Sequence, residues 1–331
     1  MRKGIKIALW TILLAGGIIT CAVRWQVWFG MPAEPKWTGD TLSYTFRSVC
    51  DSQCVIADDQ ASVTVLVLGD IHNQLKQADY DSLAVRVPQV DVVAQTGDWM
   101  DRGQEYYHQL LLREWSGSLL SDKPVIVCPG NHEYSKGLCK KLSPVWMETF
   151  GDSPCTMGND QSPFGNRLTS VPGATYYTDL PSVRFIVIDT NPLDRLVYLT
   201  RTLTWLRQAM KTADGRYVVV MIHHPVLPAG KGRFCPLIYA TFRYALGAAD
   251  LVICGHDHSY LRRTPFVVLN TAGKLKTQQT CYSAECTSAD PVYGVLTVEQ
   301  SAMSNEQSAM TFTVYRMSDG IAIDSLHVTH D

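Results

Sequence analysis

Five times along this chain an apolar, β-branched run ends on a short block of side chains able to bind cations. The blocks are GDIH at Gly69–His72, GDWMDRG at Gly97–Gly103, GNHE at Gly130–Glu133, HHP at His223–Pro225 and GHDH at Gly255–His258. Runs of this composition read as buried strands. The pattern therefore predicts a core whose strand ends share one polar edge. Six of the nine histidines fall in these blocks, which an even scatter would not produce.

The runs at Val63–Leu68, Val92–Gln95, Val125–Val127, Val183–Ile188, Tyr217–Ile222 and Leu251–Cys254 alternate with helical spacing at Gln104–Trp115, Tyr198–Thr212 and Phe234–Gly247. A short helix is expected near Val145–Phe150, inside a Gly-, Pro- and Ser-rich stretch from Tyr134 to Ala174. That stretch reads either as a substrate lid or as a surface insertion stiffened by disulfides. Beyond Arg263 only strands are expected, at Phe266–Leu269, Val292–Val298, Met310–Tyr315 and Ile321–Leu326. The fold class is α/β, a layered domain built on two sheets. At 331 residues the chain suits one large domain over 61–331, a linker over 30–60 and an N-terminal segment over 1–29.

That segment reads as a targeting signal. Arg2, Lys3 and Lys6 precede an uncharged run from Ile7 to Val23, and Arg24, Trp25, Trp28 and Phe29 follow it. The run is at the short end for a membrane span. Its basic flank and aromatic cluster favour an uncleaved anchor with a cytoplasmic N-terminus. A cleaved signal and a lipoprotein signal ending at Cys21 are the alternatives. All three place the rest of the chain outside the cytoplasm, membrane-anchored, secreted or periplasmic. Ten cysteines agree with an oxidising compartment. Cys50/Cys54, Cys281/Cys286 and Cys139/Cys155 are spaced to form loops, but spacing does not fix pairing. Cys128 and Cys254 end apolar runs and read as small buried hydrophobes. The net charge of −2 offers no general attraction to a polyanion, so nucleic acid is not an expected partner.

Asp70 and His72 stand two apart, as do His256 and His258. In extended chain such pairs point to one side, and each pair is expected to grip one ion. Asp98 adds a carboxylate able to bridge two cations, Asn131 an amide oxygen and His223 a further imidazole. These seven candidate ligands form a mixed nitrogen and oxygen set without thiolate, which suits manganese, iron or zinc. Burying so many imidazoles and carboxylates together without metal would be costly. His224 reads equally as a pocket-lining residue or a packing one, and Glu133 as a brace. Trp99 reads as core or as a wall of the site.

The ordered set of five blocks, spanning about Val63 to Arg263, resembles the calcineurin-like metallophosphoesterase family. That resemblance implies a sandwich of two mixed sheets flanked by helices. By motif position it implies a first ion held by Asp70, His72, Asp98 and His258. Asp98 would bridge to a second ion held by Asn131, His223 and His256. It also implies a metal-bridging hydroxide as nucleophile, a catalytic His132, an Asp101 that orients it, and Arg102 as a phosphate contact. Asp101 stands where purple acid phosphatases carry a tyrosine, so a tyrosinate-to-iron site is not expected, although Tyr260 and Arg262 resemble the end of that subfamily's last motif. The expected activity is hydrolysis of phosphate mono- or diesters in small substrates. A nuclease or cyclic-nucleotide phosphodiesterase is the alternative, and a catalytically silent metal-binding protein is a third reading.

Overall fold

Side-chain alternation along the predicted runs decides how the layers stack. In a computed structural model of the chain, the described residues are 35–47, 62–134, 141–150, 174–193, 195–226, 236–274, 285–299 and 308–329. The N-terminal apolar run, most of the Tyr134–Ala174 stretch and five of the six cysteines spaced to form loops (all but Cys286) lie outside them. Among the described residues no helix is long and apolar enough to cross a membrane.

Chain order begins with β1 (Ser62–Leu68), α1 (Gln77–Arg86), β2 (Val92–Gln95), α2 (Glu105–Ser116), β3 (Val125–Val127) and α3 (Pro144–Phe150). Next come β4 (Tyr176–Leu180), β5 (Val183–Ile188), α4 (Leu196–Lys211), β6 (Tyr217–Ile222), α5 (Pro236–Leu246) and β7 (Leu251–Cys254). The last strands are β8 (Tyr260–Arg263), β9 (Phe266–Val268), β10 (Cys286–Ser288), β11 (Val292–Glu299), β12 (Ala309–Arg316) and β13 (Ala322–Thr329). They form a six-stranded sheet, β13-β12-β11-β1-β2-β3, and a seven-stranded sheet, β10-β8-β9-β7-β6-β5-β4. Both are mixed: β1, β2 and β3 run parallel while β11 is antiparallel to β1. Likewise β5, β6 and β7 run parallel while β4 is antiparallel to β5.

Val63, Val65 and Val67 of β1 face Phe185, Val219, Met221 and Leu296 in the core between the sheets. Leu66 and Leu68, one position out of phase, join a second core beneath α1–α3 with Leu83, Leu112, Trp115 and Trp146. On the other sheet Ile186, Ile188, Val220 and Ile222 pack under α4 and α5 with Leu199, Leu203, Leu206 and Phe242. Period-two alternation thus assigns each strand to two cores. β12 alternates buried and half-buried positions, and β13 closes the edge with exposed positions interleaved with half-buried ones.

Four elements had no clear sequence signal. Helix α1 buries only Tyr80 and Leu83, too little to mark an apolar face. Strands β4, β8 and β10 are short or polar and exist through their antiparallel neighbours. Within the linker, residues 39–47 contain no helix or strand but are anchored. Phe46 is buried against Trp99, Trp115 and Phe150, and the Val125 amide donates to the Arg47 carbonyl at 2.8 Å. Trp99 is core, its indole N–H donating to the Tyr80 hydroxyl at 3.0 Å. Cys128 and Cys254 are buried free thiols.

Candidate metal centre

All five blocks follow the C-terminal ends of parallel strands. Asp70 and His72 leave β1, Asp98 leaves β2, and Asn131 and His132 follow β3. His223 leaves β6, and His256 and His258 follow β7. Strand ends of two facing sheets therefore meet at one edge, where α/β folds habitually bind ligands.

The donor atoms converge. One ligating atom each from Asp70, His72, Asp98 and His258 lies within 4.8 Å of the others. His72 Nε2 is 3.2 Å from His258 Nε2 and 3.6 Å from Asp98 Oδ2. On the other side of Asp98, His223 Nε2 lies 3.2 Å from Asp98 Oδ2 and 3.2 Å from Asn131 Oδ1. His223, His224 and His256 form a further cluster within 4.8 Å. Asp98 thus stands in reach of both groups. His224, left open by the sequence, lies among possible ligands, with its Nδ1 2.7 Å from the Thr190 hydroxyl.

The backbone corrects one step of the sequence reasoning. Asp70 and His72 are not extended: their φ values are 49° and 49°, and Asp98, His256 and His258 have 55°, 75° and 50°. Each sits in the left-handed region, which Asp, Asn and His tolerate better than other residues. The side chains converge through tight turns rather than through strand pleating. Gly130 shows how close the packing is, because a Cβ there would stand 2.8 Å from Asp98 Cγ. At Gly97 (φ +105°) it would stand 2.5 Å from His223 Nδ1.

Protein groups outside the cluster fix the imidazoles. His223 Nδ1 donates to the Thr96 carbonyl at 3.1 Å and His258 Nδ1 to the Lys274 carbonyl at 2.7 Å. With each Nδ1 held by the main chain, each Nε2 is turned to the centre, the arrangement of metal-binding histidines. Together with the thiolate-free set of imidazoles, carboxylates and one amide oxygen, this fits manganese, iron or zinc. Burial pushes the His72 pKa down to about 3 against the pull of Asp98, so it is neutral and able to ligate. Burial also opposes charge on His223, but Asp98, with Asp70 and Glu133 behind it, outweighs this and raises its pKa to about 9. For Asp98 burial acts upward, yet His223, His132 and His72 hold its carboxyl well below the usual range.

His132 Nδ1 lies 2.5 Å from the Asp101 backbone carbonyl, while the Asp101 carboxylate stands 3.9 Å away. His132 Nδ1 thus meets the main chain of Asp101; the Asp101 carboxylate lies between His132 and His72, 3.6 Å from His72 Nδ1. His132 Nε2 points at Asp98 Oδ2 across 4.0 Å. Arg102 is half-buried on the turn before α2. Arg262, by contrast, is committed elsewhere: it binds Asp324 at 2.6 Å and also pairs with Glu285.

Three further supports stand around the centre; the sequence pattern offered Glu133 as a brace and did not single out Asn73 or Asn191. Glu133 is buried and accepts from the amides of Asp98 (2.9 Å), Gly130 (2.7 Å) and Met100 (3.0 Å), tying the second block to the third. Burial, then the Asp98 charge, raises its pKa to about 7. Asn73 accepts from the Asp101 amide at 2.8 Å and donates to the Tyr107 carbonyl at 2.8 Å. Asn191 donates to the Gly130 carbonyl at 3.2 Å. Its position just past β5 was the available signal, because every other strand end at this edge carries a polar block.

Comparison with known proteins agrees with this geometry. The profile of the family described as calcineurin-like phosphoesterase matches residues 63–260. A glycerophosphodiester phosphodiesterase, GpdQ, from Enterobacter lignolyticus (strain SCF1) is 25% identical over 177 residues, 51% of this chain. The match spans 56% of that relative, little more than half its length. Among solved structures, purple acid phosphatase PPD1 from yellow lupin (Lupinus luteus) seeds superposes with a TM-score of 0.56 at 14% identity, covering 83% of this chain and 55% of that one. GAP50, the anchor in the inner membrane complex of Plasmodium, gives 0.53 at 13% identity over 82% and 90%. These two likenesses concern the fold, an α/β sandwich of two mixed sheets. With well over half of its length matched by the family profile and that fold around clustered metal-ligating side chains, the chain belongs to the calcineurin-like phosphoesterases, metal-dependent hydrolases of phosphoester bonds.

Proposed function

We propose that this protein hydrolyses small phosphate mono- or diesters at a two-metal centre, and that it works outside the cytoplasm tethered by its N-terminal apolar run. The observation that carries the catalytic part is the position of Asp98, whose Oδ2 lies 3.2 Å from His223 Nε2 and 3.6 Å from His72 Nε2. A carboxylate between two sets of imidazoles is placed to bridge two cations. Asp70, His72, Asp98 and His258 would hold one ion, and Asp98, Asn131, His223 and His256 the other, with His224 in reach of the second. Manganese, iron and zinc all suit the donors. Bound there, such ions supply charge that stabilises the phosphoryl oxygens and lowers the pKa of water.

The residues around the centre account for the rest. Donation from His132 Nδ1 to the Asp101 carbonyl holds that proton in place and leaves Nε2 to exchange one with a substrate or leaving-group oxygen. Asp101, by its main chain, orients His132. Arg102, whose guanidinium makes no hydrogen bond or ion pair among the described residues, supplies a fork suited to phosphoryl oxygens. The likeness to GpdQ, a glycerophosphodiester phosphodiesterase, favours a diester over a monoester.

The test uses bis-p-nitrophenyl phosphate and p-nitrophenyl phosphate with added manganese, together with metal content per chain. His132→Ala is expected to lose about 10²- to 10⁴-fold in turnover while keeping two metal equivalents. Asp98→Asn is expected to lose turnover and at least one equivalent. Retention of both by Asp98→Asn would refute the bridging role.

A further inference from the structure

Helices α4 and α5 cover the outer face of the seven-stranded sheet, and their outward surface has an unusual composition. From Arg195 to Ala213 the sequence contains Arg195, Arg201, Arg207 and Lys211 and no acidic residue; from Arg216 to Ala249 it again contains none. In the structure Arg195, Arg201, Arg207, Lys211 and Arg243 are all exposed. None forms an ion pair or side-chain hydrogen bond among the described residues. The whole chain has a net charge of −2, so this accumulation of unpaired cations is local.

Large apolar side chains stand among these cations. Leu196 and Val197 open α4 at 72% and 60% exposure, and Leu237 and Tyr244 lie along α5 at 74% and 84%. The opposite faces are fully used: Tyr198, Leu199, Leu203 and Leu206 of α4 and Phe242 and Leu246 of α5 are buried against the sheet. The outward residues are thus not part of any core. Because both helices follow parallel strands, each begins at the sheet edge that carries the candidate metal ligands.

We propose that this face of α4 and α5 docks on the surface of an anionic phospholipid bilayer. Arginines spaced along a helix attract anionic headgroups, and exposed Leu, Val and Tyr enter the headgroup boundary. A nucleic acid would also attract the cations, but it gives no reward for three exposed aliphatic side chains. The inference does not depend on the catalytic reading. It adds a second contact to any N-terminal tether.

Hydrogen exchange on the full chain tests it, in phosphatidylcholine vesicles and in vesicles containing about one third phosphatidylglycerol. Peptides from α4 and α5 should exchange several-fold more slowly with phosphatidylglycerol, and high salt should abolish the difference. The variant R201E/R207E/R243E should lose it while keeping the far-ultraviolet dichroism and Tm of the parent, which shows it is folded. L196S/V197S/L237S should weaken it. Equal exchange in the two vesicle types, or undiminished protection in the charge variant, would overturn the proposal. So would protection of the same helices by duplex DNA, or by raised protein concentration, without any effect of lipid.

Discussion

Glu133 offers the sharpest test of how the centre is built. Its carboxylate is buried and accepts three main-chain N–H bonds, from Asp98 and Gly130 to Oε2 and from Met100 to Oε1. One side chain therefore satisfies donors on both the loop that carries Asp98 and the loop that carries Asn131. Glu133→Ala removes all three acceptors. A buried donor left unsatisfied costs about 1–3 kcal/mol. The terms do not add fully, and relief from burying a carboxylate offsets part, so about 3–5 kcal/mol is expected. For a domain of this size that is a fall in Tm of about 6–20 °C. Glu133→Gln keeps an oxygen for two of the donors and turns an NH₂ group toward the Met100 amide. Its cost should be about 1–3 kcal/mol. Calorimetric unfolding of both variants at fixed metal concentration gives the ranking. Manganese titration should show weaker binding in the same order, since Asp98 and Asn131 lose their common brace. An alanine variant within about 1 kcal/mol of the parent, or one no worse than glutamine, would refute the bracing role.

Gly130→Ala would place a methyl group well inside contact distance of the Asp98 carboxylate and 2.8 Å from its Cγ; displacing that side chain by about 1 Å should lower kcat by about 100-fold, measured on a soluble phosphodiester. Burial acts to raise the Asp324 pKa, but hydrogen bonds from Arg262 and Tyr260 outweigh it and hold the carboxyl below its ordinary value. Its contribution is therefore complete above about pH 4 and is lost as pH falls through the depressed folded value. Asp324→Asn should cost about 1–3 kcal/mol at neutral pH and progressively less in acid unfolding titrations below pH 4. Chelation should abolish hydrolysis while leaving the far-ultraviolet dichroism unchanged, because the turns that carry the ligands are braced by protein groups; loss of sheet signal would contradict this.

Much of this architecture was legible because its signals are local. A run such as Tyr217–Ile222, apolar at every position, specifies a strand buried on both faces, and the histidines after it sit where such a strand must stop. Apart from Glu133, the braces were not legible. The partners of His223 and His258 are the carbonyls of Thr96 and Lys274, atoms that every residue carries. The Arg262–Asp324 pair joins β8 to β13 across 62 positions, a separation that no local pattern reveals. Strand β8 contains two arginines among its four residues and becomes a strand by pairing with β9 and β10. The left-handed turns were hidden for another reason. A pair two positions apart suits an extended chain as well as a tight turn, and only the packed backbone distinguishes them.

Those turns also explain why the centre needs so much support. Among the described residues, seven non-glycine positions have positive φ, and six of them are Asp70, His72, Asn73, Asp98, His256 and His258. At about 1 kcal/mol each the group stores about 6 kcal/mol, comparable to the whole stability margin of a typical domain. Such strain persists only where surrounding bonds over-determine the backbone. Here the amides of Asp70 and His72 donate to the carbonyls of Gly97 and Asp98, the Thr96 amide donates to Leu68, and the His256 amide donates to Asp70 Oδ1 at 2.9 Å. The first block is thus bonded to the second and to the fifth, as Glu133 bonds the second to the third. The strained residues are held by one another across two sheets, so the sandwich fixes the cation cage before any cation binds. Separating the sheet ends by even one bond length would release the strain and scatter the donors together, which ties stability and metal affinity to the same few hydrogen bonds.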